Sequence, residues 1–371
     1  MTLAPARRSD LDPQLLSLAS RDTAKAGSLT FLVADQALTY TVRNGEVLET
    51  TETSGDTAVR LTAAAWADLT GQVRSLINLH LAQEITYERG SFTQLAAWDR
   101  TLRYLHSGVP PYTGSDLGGR DPHAEMSLSD SDAELSAQLT TMGYLLVKGV
   151  FTAEEMAAAN AEVDRLAALA RPGDEQSWFV ETETGPQVCR LVYATLRSTV
   201  LQQLEQDPRL QRLGTLLDPA LQIAPDRMEG SAVLIKVPGE TRGLSNIPWH
   251  QDCGMGGHAV ICPAVSLGIQ LTGSSAETGN LLAVPGSQGQ TLHYQWSTQS
   301  DLPVVEINTE PGDVTVHIQD VMHASPAPTG RGGRRTMYVT HYPATLWDHI
   351  GPGQAFNDLV RNRTAEVASL A

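Results

Sequence analysis

From Ser28 onward, apolar and polar residues alternate in short runs. Leu29-Thr30-Phe31-Leu32-Val33 and Ala37-Leu38-Thr39-Tyr40-Thr41-Val42 read as strands, because a period of two puts every second side chain on one face. Arg43-Asn44-Gly45-Glu46 follows. Asn-Gly accepts the positive φ of a tight turn, so a hairpin to Val47-Leu48-Glu49-Thr50 is predicted, with Ala58-Val59-Arg60-Leu61 as a further strand. The period then lengthens. Thr62 is a candidate N-cap for a helix over 63–69, and apolar residues at 73, 76, 77, 79 and 81 predict a second over 73–82. Residues 85–91 return to strand character, and 95–105 predict an amphipathic helix. Residues 1–24 are polar and Ala-rich, suited to a short helix or an arm.

Residues 107–122 are dense in Gly and Pro and lack any periodicity, so they read as a linker. A second unit follows. Ser129-Asp130-Ser131-Asp132-Ala133-Glu134 caps a helix through Leu139, and residues 143–150 form a strand and turn. Thr152-Ala153-Glu154-Glu155 is a capping box ahead of an Ala-rich helix to about residue 170, and 201–204 and 208–217 look helical. From Ser231 strands come thickly: 232–236, 264–271, 280–284, 304–307, 314–318 and 336–342. That spacing, bounded by Gly, Pro and Asn, predicts a sandwich or barrel with the preceding helices on its outer face. The expected layout is a small α+β accessory domain over 1–106, a linker over 107–125, and a helix-flanked barrel domain over 126–371.

Composition narrows the partners. With 371 residues, two domains are the expectation, and 41% hydrophobic residues suffice for two cores. No apolar run approaches the roughly 18 residues of a membrane span, and no secretory pattern follows the basic residues near Met1. Three cysteines, Cys189, Cys253 and Cys262, make neither a disulfide framework nor a zinc motif, so a reducing cytoplasm is expected. A net charge of −16 disfavours nucleic acid as a partner, and weakly disfavours an anionic acyl-CoA against a free metabolite.

The chemistry concentrates in Pro248-Trp249-His250-Gln251-Asp252. On an extended strand, His250 and Asp252 point to the same side. A distant second histidine would complete two imidazoles and one carboxylate on one face of a metal, leaving positions open for a chelating co-substrate and O2. Two residues compete for that place, His317 and His323, six apart on one strand run, so alternation that points one inward favours the other too. Gly254, Gly256 and Gly257 then form a loop suited to the edge of a lid. Arg331, Arg334 and Arg335 precede the last strand. A guanidinium entering a barrel is costly unless paired, and bidentate binding of a dicarboxylate gives it a reason to be there.

Two resemblances add to this reading. The order of elements over residues 25–105 resembles the sterol-carrier-protein-like lipid-binding fold: the meander of Leu38-Thr39-Tyr40-Thr41-Val42-Arg43-Asn44-Gly45, the strand Ala58-Val59-Arg60-Leu61, the helix Ala64-Ala65-Trp66-Ala67-Asp68-Leu69 and the late strand to Gly90. It implies an apolar or lipid-like substrate handled near the second domain. Residues 135–345 resemble the phytanoyl-CoA dioxygenase-like group of Fe(II)/2-oxoglutarate-dependent oxygenases. The matching blocks are Gly143-Tyr144-Leu145-Leu146-Val147-Lys148-Gly149-Val150 with Glu154-Glu155, Lys236-Val237-Pro238-Gly239, the His-x-Asp segment, Gly279 to Ser287, Pro311-Gly312-Asp313-Val314, and His323-Ala324-Ser325 with the Arg pair.

The second resemblance implies a double-stranded β-helix (jelly-roll) core, with His250, Asp252 and His323 on iron. It favours His323 over His317 by its distance from Gly312-Asp313. The arginine that binds 2-oxoglutarate falls on Arg334 or Arg335, with Arg335 slightly ahead on the count back from His341. Ser325, Lys236 and Trp249 are the further cofactor-binding candidates. The family often has His after Pro-Gly-Ser, where this chain has Gln288, a change expected to bear on substrate. Retention of Asp252 implies hydroxylation or another oxidation, not halogenation. The implied reaction consumes O2 and 2-oxoglutarate, releases succinate and CO2, and oxidises a C–H bond of a small, apolar metabolite. Two alternatives stay open: a non-catalytic binding protein on the same fold, and a cupin-like metalloenzyme that does not use 2-oxoglutarate.

Overall fold

The structure, a computed structural model, describes residues 3, 8–21, 23–114, 116–223, 231–243, 245–252, 263–291 and 302–344. The glycine loop after Asp252 lies outside the described residues.

The first unit opens with helix α1 (Pro13–Ala19) and builds strands β1 (Leu29–Val33), β2 (Gln36–Arg43), β3 (Glu46–Thr50), β4 (Thr57–Leu61) and β5 (Thr86–Arg89) into one sheet of order β3-β2-β1-β4-β5. Asn44 and Gly45 both have positive φ, 52° and 80°, so the expected tight turn joins β2 to β3. β1 and β4 run parallel, the remaining pairs antiparallel. Between β4 and β5 lie helices α2 (Ala63–Thr70), capped by Thr62, and α3 (Leu76–Leu81), capped by Ser75. The single helix expected over 95–105 is two, α4 (Phe92–Ala96) and α5 (Asp99–Ser107), broken at Ala97 and Trp98 where the buried indole fills the core. Phe31, Tyr40 and Val59 of the sheet pack on Trp66, Leu79, Leu95, Trp98 and Leu102 to close this core.

The expected linker is not free. Its Tyr112 N–H donates to Thr291 O, Thr291 N–H donates to Pro110 O, and Tyr144 Oη donates to Pro122 O, so it is stitched to the second unit. That unit contributes β6 (Glu125–Ser127), α6 (Asp132–Met142), β7 (Tyr144–Lys148), α7 (Ala153–Leu169), β8 (Ser177–Thr182), β9 (Gly185–Leu191), α8 (Thr199–Glu205), α9 (Pro208–Gly214) and β10 (Gln222–Ile223). The expected capping box forms at Thr152 with Glu155, and the cap expected within 129–134 is also a box, Ser131 with Glu134. The β8–β9 hairpin escaped the sequence reading, because Ser177-Trp178-Phe179-Val180-Glu181-Thr182 does not alternate.

The remaining strands are β11 (Ala232–Lys236), β12 (Glu240–Arg242), β13 (Ile247–His250), β14 (Val265–Gln270), β15 (Leu281–Ala283), β16 (Val305–Ile307), β17 (Val314–Ile318), β18 (His323–Ser325) and β19 (Arg334–Tyr342). A ten-stranded sheet runs β12-β8-β9-β11-β19-β14-β17-β7-β6, with β10 also on β19, and a four-stranded sheet runs β13-β18-β15-β16. Alternation gives the large sheet two characters. Val265, Leu267, Ile269, Val314, Val316, Met337 and Val339 form an apolar core with Leu139, Val163, Leu201 and Leu213 of the helices. Ser266, Gln270, Thr315, His317, Thr336 and Thr340 hold the other parity, and turn to the small sheet, with which Tyr144 and Leu146 also share a core. The helices therefore cover the outer face, as expected, and the inner face is polar. No described helix is long and apolar enough to cross a membrane.

Candidate metal centre

His250 ends β13 and pairs in register with His323 at the start of β18, so the two imidazoles lie side by side with ring centroids 4.2 Å apart. Asp252 follows two residues on, pinned by its N–H to Gln319 O at 2.8 Å. Its carboxylate lies 3.1 Å from His250 Nε2 and 3.9 Å from His323 Nε2. One donor atom from each of the three falls within 4.8 Å of the others.

Both histidines are oriented from behind. His250 Nδ1 donates to Pro248 O at 2.8 Å, and His323 Nδ1 to Val321 O at 2.9 Å, which leaves each Nε2 free to face the centre. The Pro-Gly-Ser turn supports the approach to His323: Ser287 Oγ donates to Val284 O and accepts Met322 N–H, both at 2.8 Å. Asp313, in the Gly312-Asp313 turn before β17, is buried and accepts from Lys148 Nζ and Gly149 N.

Electrostatics favour a cation. Burial alone would push the Asp252 carboxyl up, but the imidazoles of His323, His250 and His317 hold it well below the usual carboxylate range. Burial and the neighbouring His250 keep His323 well below the ordinary imidazole value, which favours a neutral imidazole whose Nε2 can donate its lone pair. His317, the competing distal histidine, sits one layer back on β17, with its ring 4.5 Å from that of His323 and its Nε2 3.5 Å from the second Asp252 oxygen. His250, Asp252 and His323 thus form the compact donor set, and His317 backs the carboxylate.

A second cluster adjoins the triad. Lys236 and Arg334 are cross-strand partners on β11 and β19, so both point to the inner face. Both are buried. Lys236 Nζ donates to Ser245 O at 2.6 Å and Ser325 O at 2.5 Å, and Arg334 Nη2 donates to Ser325 Oγ at 2.9 Å. Among the described residues, Arg334 Nη1 is buried and has no hydrogen-bond partner. Burial, then the Arg334 charge, lowers the Lys236 amine to about 7. Two adjoining cations with an open guanidinium edge make a receptor for a carboxylate.

The other candidates lie elsewhere. Arg335, slightly preferred from the sequence, has the opposite parity: it leaves the inner face and pairs with Asp164 Oδ1 of α7 at 2.6 Å. Arg331 is exposed in the loop before β19. Trp249 points away from His250 and packs with Tyr112 against Val284 and Met322, away from the Lys236 and Arg334 cluster. Gln288, expected to bear on substrate, donates from Nε2 to Thr140 O at 2.8 Å, closing the end of α6.

The family profile described as phytanoyl-CoA dioxygenase (PhyH) matches residues 139–336, more than half of the chain. No curated protein sequence matches significantly. Among solved structures, the non-haem α-ketoglutarate-dependent epimerase SnoN from nogalamycin biosynthesis is 22% identical, with a TM-score of 0.48, covering 57% of this chain and 81% of its own. EctD from S. alaskensis with bound Fe is 20% identical with a TM-score of 0.48, covering 61% and 83%. AviO1 from Streptomyces viridochromogenes is 22% identical with a TM-score of 0.46, covering 58% and 96%.

Proposed function

The chain belongs to the phytanoyl-CoA dioxygenase (PhyH) family, and from that premise we propose that it is an Fe(II)- and 2-oxoglutarate-dependent oxygenase with a jelly-roll core. It oxidises a C–H bond of a small, mainly apolar metabolite and releases succinate and CO2. The observation that carries this reading is the pairing of the two clusters. A two-His, one-carboxylate donor set lies beside two buried cations, joined by Ser325, two residues after His323.

The residues fit both groups. His250, Asp252 and His323 would hold Fe(II), whose preference for imidazole and carboxylate donors in a three-point set matches this site. Arg334, with its open Nη1 edge, would take the distal carboxylate of 2-oxoglutarate, with Lys236 beside it. Bound Fe(II) would supply O2 activation, with 2-oxoglutarate as the electron source. The chain's own work is orientation: Pro248 O and Val321 O set the imidazoles, Asp252 stays ionised, and the two sheets hold the carboxylate receptor in a dry interior. The apolar-substrate part of the proposal is supported by the sterol-carrier-like order of the first unit, and a cytoplasmic site of action by the cysteine usage.

Succinate release from 2-oxoglutarate with added Fe(II), over a panel of lipids, terpenoids and CoA esters, tests the reading. Turnover that vanishes in His323→Ala supports it. A wild-type chain that binds neither Fe(II) nor 2-oxoglutarate overturns it in favour of a binding protein on this fold. Metal-dependent turnover of a panel compound that needs no added 2-oxoglutarate and is unchanged in Arg334→Ala would favour a metalloenzyme that does not use 2-oxoglutarate.

A further inference from the structure

The ligand strand has a reverse side. His250 and Asp252 face the centre, so Trp249 and Gln251 face away. That side plays no part in the proposed chemistry, yet Gln251 is only 8% exposed. Part of what covers it comes from the first unit. Arg103, on α5, sends Nη1 to Gln251 Oε1 at 3.3 Å and places Nη2 3.9 Å from Asp320 Oδ1. Asp320 lies three residues before His323 and is 1% exposed.

The contacts close into one knot. Gln251 Nε2 donates to Asp320 O at 2.6 Å and to Gln290 O at 3.0 Å. Asp320 Oδ2 accepts Gly289 N–H at 2.6 Å. A single guanidinium therefore meets the residue between the first two ligands and the carboxylate just ahead of the third. A carboxylate this dry is held in place by the donors and charge around it, so the guanidinium also constrains the turn that carries it.

We infer that Arg103 is a positioning residue for the metal centre, through which the first unit holds the His250–Asp252 segment and the His323 turn in ligand register. This rests on the metal-centre reading of the triad. Groups that orient ligands from behind typically change metal affinity about 10- to 100-fold when removed.

Co(II) serves as the probe, since its absorption reports the ligand field and it does not turn over with O2. In the full-length chain, Arg103→Met is expected to weaken Co(II) binding by up to about tenfold, the low end of what losing a direct ligand partner costs, and to alter its absorption. Arg103→Lys, which keeps the charge but not the fork, should fall between. Arg103→Met/Asp320→Asn, which also neutralises the carboxylate 3.9 Å from Nη2, should recover part of the loss. Gln251→Met cuts the same link from the other side, and decides the matter if Arg103→Met does not fold. A role in unit packing alone predicts a lower Tm with unchanged Co(II) affinity and absorption, and that result overturns the inference. Absence of Co(II) binding in the wild type would instead strike the metal-centre reading and this inference with it.

Discussion

Arg334→Met and Arg335→Met remove the same group from adjacent positions and should have opposite consequences. Arg334 is buried on the inner face, with Nη2 on Ser325 Oγ and Nη1 open toward the proposed 2-oxoglutarate carboxylate. Truncating one partner of a desolvated, hydrogen-bonded charge pair costs about 2–5 kcal/mol. Each 1.4 kcal/mol or so is a factor of ten, so 2-oxoglutarate affinity should fall roughly 30-fold or more. Arg335 pairs with Asp164, whose side chain is 66% exposed, and such surface pairs are worth about 0–1 kcal/mol of stability. Its removal should leave 2-oxoglutarate affinity within about twofold, because the pair lies on the far face of the sheet. Calorimetric titration of 2-oxoglutarate into the metal-loaded chain under anaerobic conditions measures both, with succinate release as a second readout. Arg334→Lys should be intermediate, since an ammonium supplies charge without the fork. Arg334→Met binding as wild type while Arg335→Met fails would refute the parity argument.

Other outcomes follow from the same geometry. His323→Ala should abolish stoichiometric metal binding, whereas His317→Gln, which alters only the group behind Asp252, should retain it with affinity about tenfold lower or better; equilibrium dialysis separates them. The Lys236 amine, at about 7, is raised by a carboxylate placed beside it, so above pH 7 binding of 2-oxoglutarate takes up a proton. Affinity should then fall with rising pH by up to about tenfold per unit, and titrations of Lys236→Met over the same range should lose that slope. Gly312 has a φ of 91°, and a Cβ there would meet Phe151 O at 2.1 Å. Gly312→Ala should lower stability by at least about 1–3 kcal/mol, read as a shift in Tm or in the urea midpoint.

Much of the layout was legible from local pattern. Alternation, Asn44-Gly45 and the Thr152–Glu155 box depend on side chains within one turn of each other, and the elements formed where they pointed. His-x-Asp was legible for the same reason: two residues on one strand share a side whatever the strand pairs with. Parity was different. Period two says that Arg334 and Arg335 face opposite ways, but only the pairing of Lys236 with Arg334 across β11 and β19 decides which one is inside. The same limit misplaced Trp249, whose side of β13 is covered by Tyr112 from a segment that reads as an unattached linker. It also left His317 and His323 unranked on alternation alone, because they share a parity and are separated by layer, which the turn between β17 and β18 sets. Local sequence pattern therefore marked most of the elements and the residue types that could hold a metal, but not the β8–β9 hairpin or the break between α4 and α5. The tertiary structure decided which face of each strand is inner, and brought Arg103 to Gln251 across 148 positions, because contacts at that separation are selected by packing and leave no local period to read.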